Sequence, residues 1–483
     1  MSIAGALSNA LSGLNVASRS AEMVSNNIAN ALNENYARRE VILGARTLGG
    51  AGQGVSVTAV QRQVDLILLS DRRVAQAGAG DRQTRAQFYA QLETAIGNPG
   101  VEGSLSTRVA KLETALIEAT SRPESEGRLA SVADAARGLA RQIGAVANSV
   151  QTARSEADRK IGADIGQVNA AMARVAEMNV EIREHLSSGR DPSAMMDQRQ
   201  QLIDQIASVV PLREVPRDHG QIALFTTGGA VLVDGRAARF GFTSVGIVEA
   251  DMTLASGGLS DLTLNGLPIA TSGPYSTISG GTLAANFAVR DELGPAAQAR
   301  LDAVARDLAE RFAAIDPTLP PGAPGLFTDA GAAFLPANET GLAQRLSLNA
   351  VADPQQGGAL WRLRDGLGAT VPGPAGNSAR LSALQTALTT SRQPVSGDFL
   401  PGLRSFASLN ADMLSGVGTA RLSAETEASF SVARSESLRV QELQGGVDTD
   451  REMQDLLQIE KAYAANAKVI QTVDVMLDLL LGI

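Results

Sequence analysis

The sequence predicts a mainly α protein with a small β domain. Its N- and C-terminal helices pair as a coiled-coil-like stem, its middle is a long helical bundle, and a β-rich segment is inserted outermost. Three observations predict this. Both ends of the 483-residue chain carry heptad seams. The middle carries long runs of helical apolar periodicity. Residues 221–278 switch to short β-favouring runs separated by hairpin dipeptides. The predicted organisation is 1–45 with 445–483 as terminal core; 46–215 with 281–318 and 379–444 as helical domain; 216–280 as β domain; and 319–378 as a Pro/Gly-rich irregular segment.

The first seam is Ile3, Leu7, Ala10, Leu14, Ala17, Ala21, Val24 and Ile28. The last is Leu456, Ile459, Tyr463, Asn466, Ile470, Val473, Leu477 and Leu480. Such spacing buries one stripe of a helix against another helix. The first stripe is mostly small and the second mostly large, so the bulk of one fills the space left by the other. At 1.5 Å per residue the two helices are about 40 Å and about 48 Å long. Thr449 and Glu452 have capping-box spacing, which predicts Thr449 as N-cap, and Gly482 stands where a helix-ending glycine belongs. The first helix is expected to end in Asn30 to Asn35, because asparagine competes with helical hydrogen bonding.

Residues 37–60 read as a β-hairpin or irregular linker. Helix follows from Val64 to Ile96, with Asn98-Pro99-Gly100 as a break, and again from Ser106 to Thr120. The longest helical pattern runs from Leu139 to Leu186, with a phase shift at Ala157, Ile161 and Ile165. Gly144, Gly162 and Gly166 weaken it, so it depends on packed neighbours. Asp191-Pro192 ends it, and a helix from Ser193 to Val209 is closed by Pro211 and Pro216. After the β segment come helices at Glu292–Ile315, Ala379–Ser391 and Leu400–Leu443. Gly445-Gly446 then forms a joint before the last helix.

Composition narrows function. Aromatics are 3 % of residues, net charge is −9, and no basic run occurs, which argues against nucleic-acid binding. With no cysteine there are no disulfides, thiolate chemistry or cysteine metal sites. No cleaved signal peptide is predicted, since the first basic residue is Arg19, and no run approaches the ~20 apolar residues of a membrane span. Glu181 and His185 lie four apart on a helix, but a solvent-facing pair explains them better than a metal site, and His219 stands elsewhere. Gly78-Ala-Gly80 lacks the third glycine of a dinucleotide fingerprint. Asn338-Glu-Thr340 matches a glycosylation acceptor by chance. The expectation is no enzyme, no cofactor and no metal. The first 18 residues carry no charge at all. A helix buried on several sides in an assembly accounts for that.

SGLNVASRSAEMVSNNIANALNENYAR, residues 12–38, resembles the N-terminal signature of bacterial flagellar axial proteins. Its matching positions are Ser25, Asn26, Asn27, Ile28, Asn30, Tyr36 and Arg38. AYAANAKVIQTVDVMLDLLL, Ala462 to Leu481, resembles the C-terminal signature, with Tyr463, Asn466 and Gln471. The long helical segment, DPSAMMDQRQQLIDQIASVV (Asp191 to Val210) and the glycine-rich β segment after it resemble the FlgK family of hook-associated proteins. The family's Thr-Pro-Gly turn is replaced by Asn33-Glu34-Asn35, where Asn35 is expected to adopt the left-handed conformation. The β segment is short for the family.

The resemblance implies a structural subunit joining flagellar hook to filament, exported through the type III channel and self-assembling as a ring through its terminal helices. The implied interface residues are Ile3, Leu7, Leu14, Val24, Ile28, Leu456, Ile459, Tyr463, Ile470, Val473, Leu477 and Leu480. Implied partners are other copies, the hook protein, the second junction protein and an export chaperone at the C-terminal helix, with no nucleic acid and no membrane insertion. The implied location is the extracellular flagellum, with a cytoplasmic stage before export. Two alternatives are another axial protein (hook or distal rod) and a secreted enzyme on a helical stalk.

Overall fold

The computed structural model describes residues 3–48, 51–313 and 315–482, with the side chains of 48, 51, 480 and 481 outside the description. In chain order the elements are α1 (Ile3–Ala29), β1 (Arg39–Leu48), β2 (Ala51–Arg62), α2 (Leu66–Ile96), α3 (Leu105–Ser121), α4 (Glu126–Ser187) and α5 (Ser193–Val209). Short strands β3 (Leu212–Pro216), β4 (Ile222–Thr226), β5 (Val231–Asp234), β6 (Arg236–Ala237), β7 (Phe240–Gly241), β8 (Thr263–Leu264) and β9 (Leu267–Pro268) come next. Then follow α6 (Gly281–Ala288), α7 (Gly294–Ala313), β10 (Phe327–Asp329), α8 (Leu342–Arg345), β11 (Leu346–Leu348), α9 (Trp361–Asp365), α10 (Ala379–Thr389), α11 (Phe406–Gln444) and α12 (Thr449–Leu481).

The chain divides into two compact units. One contains residues 1–79, 167–239 and 431–483, and the other 80–166 and 240–430. The residues read as one β segment, 216–280, are therefore shared between the units. In the first unit β3, β4, β5 and β6 form an antiparallel sheet; in the second β7, β8 and β9 form another. The hairpin signals were sound, but they mark two small sheets.

In the first unit α1 packs along α12, and the hairpin β1–β2 lies against α1. Residues 37–60 thus form a true hairpin, registered from Arg39↔Arg62 to Ala45↔Val55 and beyond. Strand β2 comes close to α1 at Gly54 and Val55. Gly54 has a φ of 89°, and a β-carbon there would overlap the Ser12 hydroxyl. That hydroxyl accepts the Val55 N–H at 3.2 Å.

In the second unit one apolar core gathers Leu112 and Leu116 of α3, Val132 to Val146 of α4, Leu301 to Phe312 of α7, and Leu381, Leu384, Phe406 and Leu409. Helix α4 starts at Glu126, earlier than periodicity suggested. Leu129, Val132 and Ala136 continue the same track and are fully buried, so packing overrides Gly127 and Gly138. The helix expected at Glu292 begins instead at Gly281 and passes through a π-turn at Val289–Leu293. Pro295 follows directly and has no N–H to continue the α pattern. The Gly294 N–H reaches back to the Val289 carbonyl, and the extra residue turns Arg290 inward. Arg290 meets Asp158 at 2.9 Å with both side chains fully buried. Residues 319–378, expected to be irregular, contribute Leu326, Phe327, Leu342, Leu346, Leu348 and Leu363 to the core through β10, α8, β11 and α9.

Candidate functional site: an assembly interface

The stem of α1 and α12 holds the seams. Ala10, Ala17 and Val24 are buried, and Ile3, Leu7, Leu14, Ala21 and Ile28 are half-buried. On α12, Val473 is 5 % exposed, and Leu456, Ile459, Asn466 and Ile470 are half-buried. Tyr463 is 49 % exposed and Leu477 37 %, so the stem leaves these two uncovered, and the side chain of Leu480 lies outside the described residues. Small-against-large complementarity is sharpest at Gly13. A β-carbon on that residue would sit 2.6 Å from the Asn466 amide, which places a signature residue in the notch left by a glycine.

The N-terminal signature makes a polar joint at the base of the stem. Asn27 is 1 % exposed. Its amide nitrogen donates to the Arg39 carbonyl at 2.9 Å and to Glu452 Oε2 at 3.0 Å. Its Oδ1 accepts the Tyr36 hydroxyl at 2.8 Å and the Arg39 N–H at 3.1 Å. Arg38 Nε donates to Glu452 Oε1 at 2.6 Å, with Asp455 and Glu40 at 3.6 and 3.7 Å. Glu452 is fully buried and is satisfied from two sides. Burial holds the Tyr36 phenol above its ordinary pKa, so it stays a donor. Of the other signature positions, Ser25, Asn26 and Gln471 are exposed, and the Asn30 amide donates to the Asn26 carbonyl at 2.9 Å.

Two local expectations are corrected. Asp448, not Thr449, is the N-cap of α12; its carboxylate accepts the N–H groups of Asp450 and Arg451. The Thr449–Glu452 box does not form, because Glu452 is drawn into the stem by Arg38 and Asn27. Asn35 is not left-handed. The turn survives differently: the Asn33 side chain accepts the Asn35 N–H, and the Asn33 carbonyl accepts that of Tyr36.

The segment Asp191 to Val210 works as a polar hub in the same unit. Asp197 receives Arg39 and Arg62, Arg199 donates to Asn179 and to the Gly220 carbonyl, and Asp204 receives Arg72 and Arg73. Burial lowers the Arg199 pKa to about 10. Sequence reasoning named Arg38 and Glu452 without pairing them, and it missed Arg39, Arg62 and Asp197. The available signals were the adjacent Arg38-Arg39 and an acidic residue inside a family motif.

The arrangement suits packing, not bond-making. Glu181 is taken by Arg174 at 3.1 Å and is not paired with His185. Among the described residues no group of three or more His, Asp or Glu could hold a metal ion. No helix among them is long and apolar enough to cross a membrane. The apolar surface continues past the seam. On the opposite side of α12, Met453 and Leu457 near its start and Val475 and Leu479 near its end are exposed, two short apolar patches separated by polar and charged residues that include Lys461 and Lys468.

The family described as "Flagellar hook-associated protein FlgK helical domain" matches residues 89–317, and "Flagellar basal body rod FlgEFG protein C-terminal" matches 444–483. "Flagellar hook-associated protein 1" of Salmonella typhimurium is 28 % identical over 240 residues, 48 % of this chain and 43 % of the relative. The Bacillus subtilis protein of the same name is 25 % identical over 221 residues, 43 % of each. Over its helical middle the chain is similar to the FlgK helical domain, and at its C-terminal end to the rod-type axial proteins. It spans less than half the length of these FlgK relatives. A solved structure, the flagellar hook junction protein FlgK from Burkholderia pseudomallei, is 20 % identical with a TM-score of 0.44, covering 54 % of this chain and 46 % of that one. The family's helical-domain match runs from α2 to just beyond α7 and includes the hub. The rod-type match covers α12, so the C-terminal signature and the helical middle are matched in one chain.

Proposed function

We propose that this chain is a structural subunit of the bacterial flagellum at the hook–filament junction, assembled with other copies through its terminal helices. One observation carries the reading: a stem of α1 and α12 that leaves Tyr463 and Leu477 of its seam, and Met453, Leu457, Val475 and Leu479 on the other side of α12, exposed. Buried area from neighbouring subunits offsets the entropy of ordering these ends. The proposed partners are other copies in a ring, the hook protein, the second junction protein and, before export, a chaperone on the C-terminal helix. The route is type III export, and the role is structural, without catalysis or cofactor. A hook or distal-rod subunit is the second reading, favoured by the rod-type match at residues 444–483. The helical-domain match at 89–317 speaks for the junction instead. A stalked enzyme has no acid/base constellation to support it.

The test is deletion of the gene with labelling of purified hook–basal bodies. The expected result is hooks of normal length, filament subunits shed into the medium, and label at the distal hook end. Label along the rod, or attached filaments in the deletion strain, would refute the assignment.

A further inference from the structure

We infer that Asp197 is the positioning residue that fixes the β1–β2 hairpin, and through it the terminal stem, against α5; its role in assembly rests on the function proposed above. Arg39 and Arg62 stand directly opposite each other in the hairpin register. Like charges facing across an antiparallel pair destabilise it. Here Asp197 lies between them. Its Oδ2 accepts Arg39 Nη2 at 2.8 Å, and its Oδ1 accepts Arg62 Nε at 2.8 Å. All three side chains are largely buried, so solvent screens the repulsion poorly. The hairpin base is therefore stable only while an anion from α5 occupies that position.

The residue just before the strand, Arg38, turns to the stem. Successive side chains on a strand point to opposite faces. Arg38 takes Glu452 of α12 on one side while Arg39 takes Asp197 of α5 on the other. Tyr36 adds a third tie. Its hydroxyl donates to Asn27 of α1, and its ring lies 4.8 Å beneath the Arg39 guanidinium. Two adjacent arginines thus set where the stem sits on α5. Asp197 lies outside the terminal signatures, so its loss loosens a joint without removing any seam residue.

The test uses the full soluble chain and hydrogen exchange followed peptide by peptide. Asp197→Asn should raise amide exchange in 39–47 and 53–62 about tenfold or more, while α5 and the second unit keep wild-type protection. The decisive arm is suppression: Arg62→Gln added to Asp197→Asn removes the facing charge and should restore much of the hairpin protection. Arg62→Gln alone should cost less than Asp197→Asn alone. Hairpin exchange unchanged in Asp197→Asn, loosening of α5 to the same degree, or no suppression by Arg62→Gln would each overturn the proposal. These readings are made on the monomer, so they stand or fall separately from the flagellar assignment. A second arm measures filament attachment in cells; if it is normal while the hairpin is loosened, the clamp is real and its role in assembly is refuted.

Discussion

Glu452→Gln keeps the shape of a fully buried side chain and removes its charge. The wild-type carboxylate accepts two donors, Arg38 Nε at 2.6 Å and Asn27 Nδ2 at 3.0 Å. Glutamine offers one acceptor and one donor, so one contact becomes donor against donor. Asn27 has no way to turn over and help, because its Oδ1 already serves Tyr36 and the Arg39 N–H. A lost charge-assisted bond is worth about 1.5–3 kcal/mol, and an unsatisfied buried donor costs about 1–3 kcal/mol. Arg38 recovers part of this from Asp455 and Glu40, at 3.6 and 3.7 Å, though both are more exposed. The net loss is about 3 kcal/mol, roughly a hundredfold in the local opening constant. Because α12 touches the rest of its unit chiefly through α1 and this joint, the loss should appear in α12. Hydrogen exchange of residues 453–473 should quicken by that factor, and that of α3 should not change. A change below about threefold in α12 would mean that the joint is not what holds the stem, and the reasoning would fail.

Val473→Asp and Leu477→Asp should separate folding from assembly. Val473 is buried in the seam, so an unpaired carboxylate there costs several kcal/mol and should release α12 in the monomer; the half-exposed Leu477 should tolerate it there yet lose assembly. Equal protease sensitivity of the two monomers would contradict this. Gly13→Val should displace Asn466 and lower α12 protection, and Asn466→Ala should restore it; additive losses would refute that contact. Burial raises the Asp302 pKa to about 6 in the folded chain. A raised pKa means the folded state holds the proton more tightly than the unfolded chain. The stability it contributes is therefore full below about pH 4 and lost as pH rises through about 6, an effect of roughly 2–3 kcal/mol. Urea unfolding at about pH 4.5 and pH 7 should show this loss in wild type but not in Asp302→Asn; parallel curves for the two proteins would refute it.

The seams and most helix limits were legible because a heptad stripe is a local pattern that survives in the sequence whatever it packs against. Helix α5 came out residue for residue, since Pro192 and the prolines after Val209 frame it. The early start of α4 was not legible. Two glycines argue locally for a break, and only the core around Leu129 and Val132 overrules them. The polar joint was half legible. Asn27, Tyr36 and Arg38 could be named from the signature, but their meeting with Glu452 spans more than 400 residues of chain. Glu452 was read through its near neighbour Thr449, and the long-range partner won because a buried arginine needs a carboxylate more than a helix end needs a box. Asp197 carried no local signal beyond its charge; its purpose exists only once the hairpin register places two arginines opposite each other.

The hairpin also decides how force would pass through the stem. It is gripped at two places by different partners: Val55, in the half away from the base, by Ser12 of α1, and Arg39 and Arg62 at the base by Asp197 of α5. A pull on α1 that enters at Val55 and leaves at the base runs along the strands. An antiparallel ladder drawn along its length strains its rungs in parallel, whereas one peeled from an end breaks them one at a time. With Val55 and the base held this way the rungs between them share the strain, and that part of the hairpin resists as a stiff tie. If either grip were moved to the other end, the same strands and the same hydrogen bonds would open like a zip.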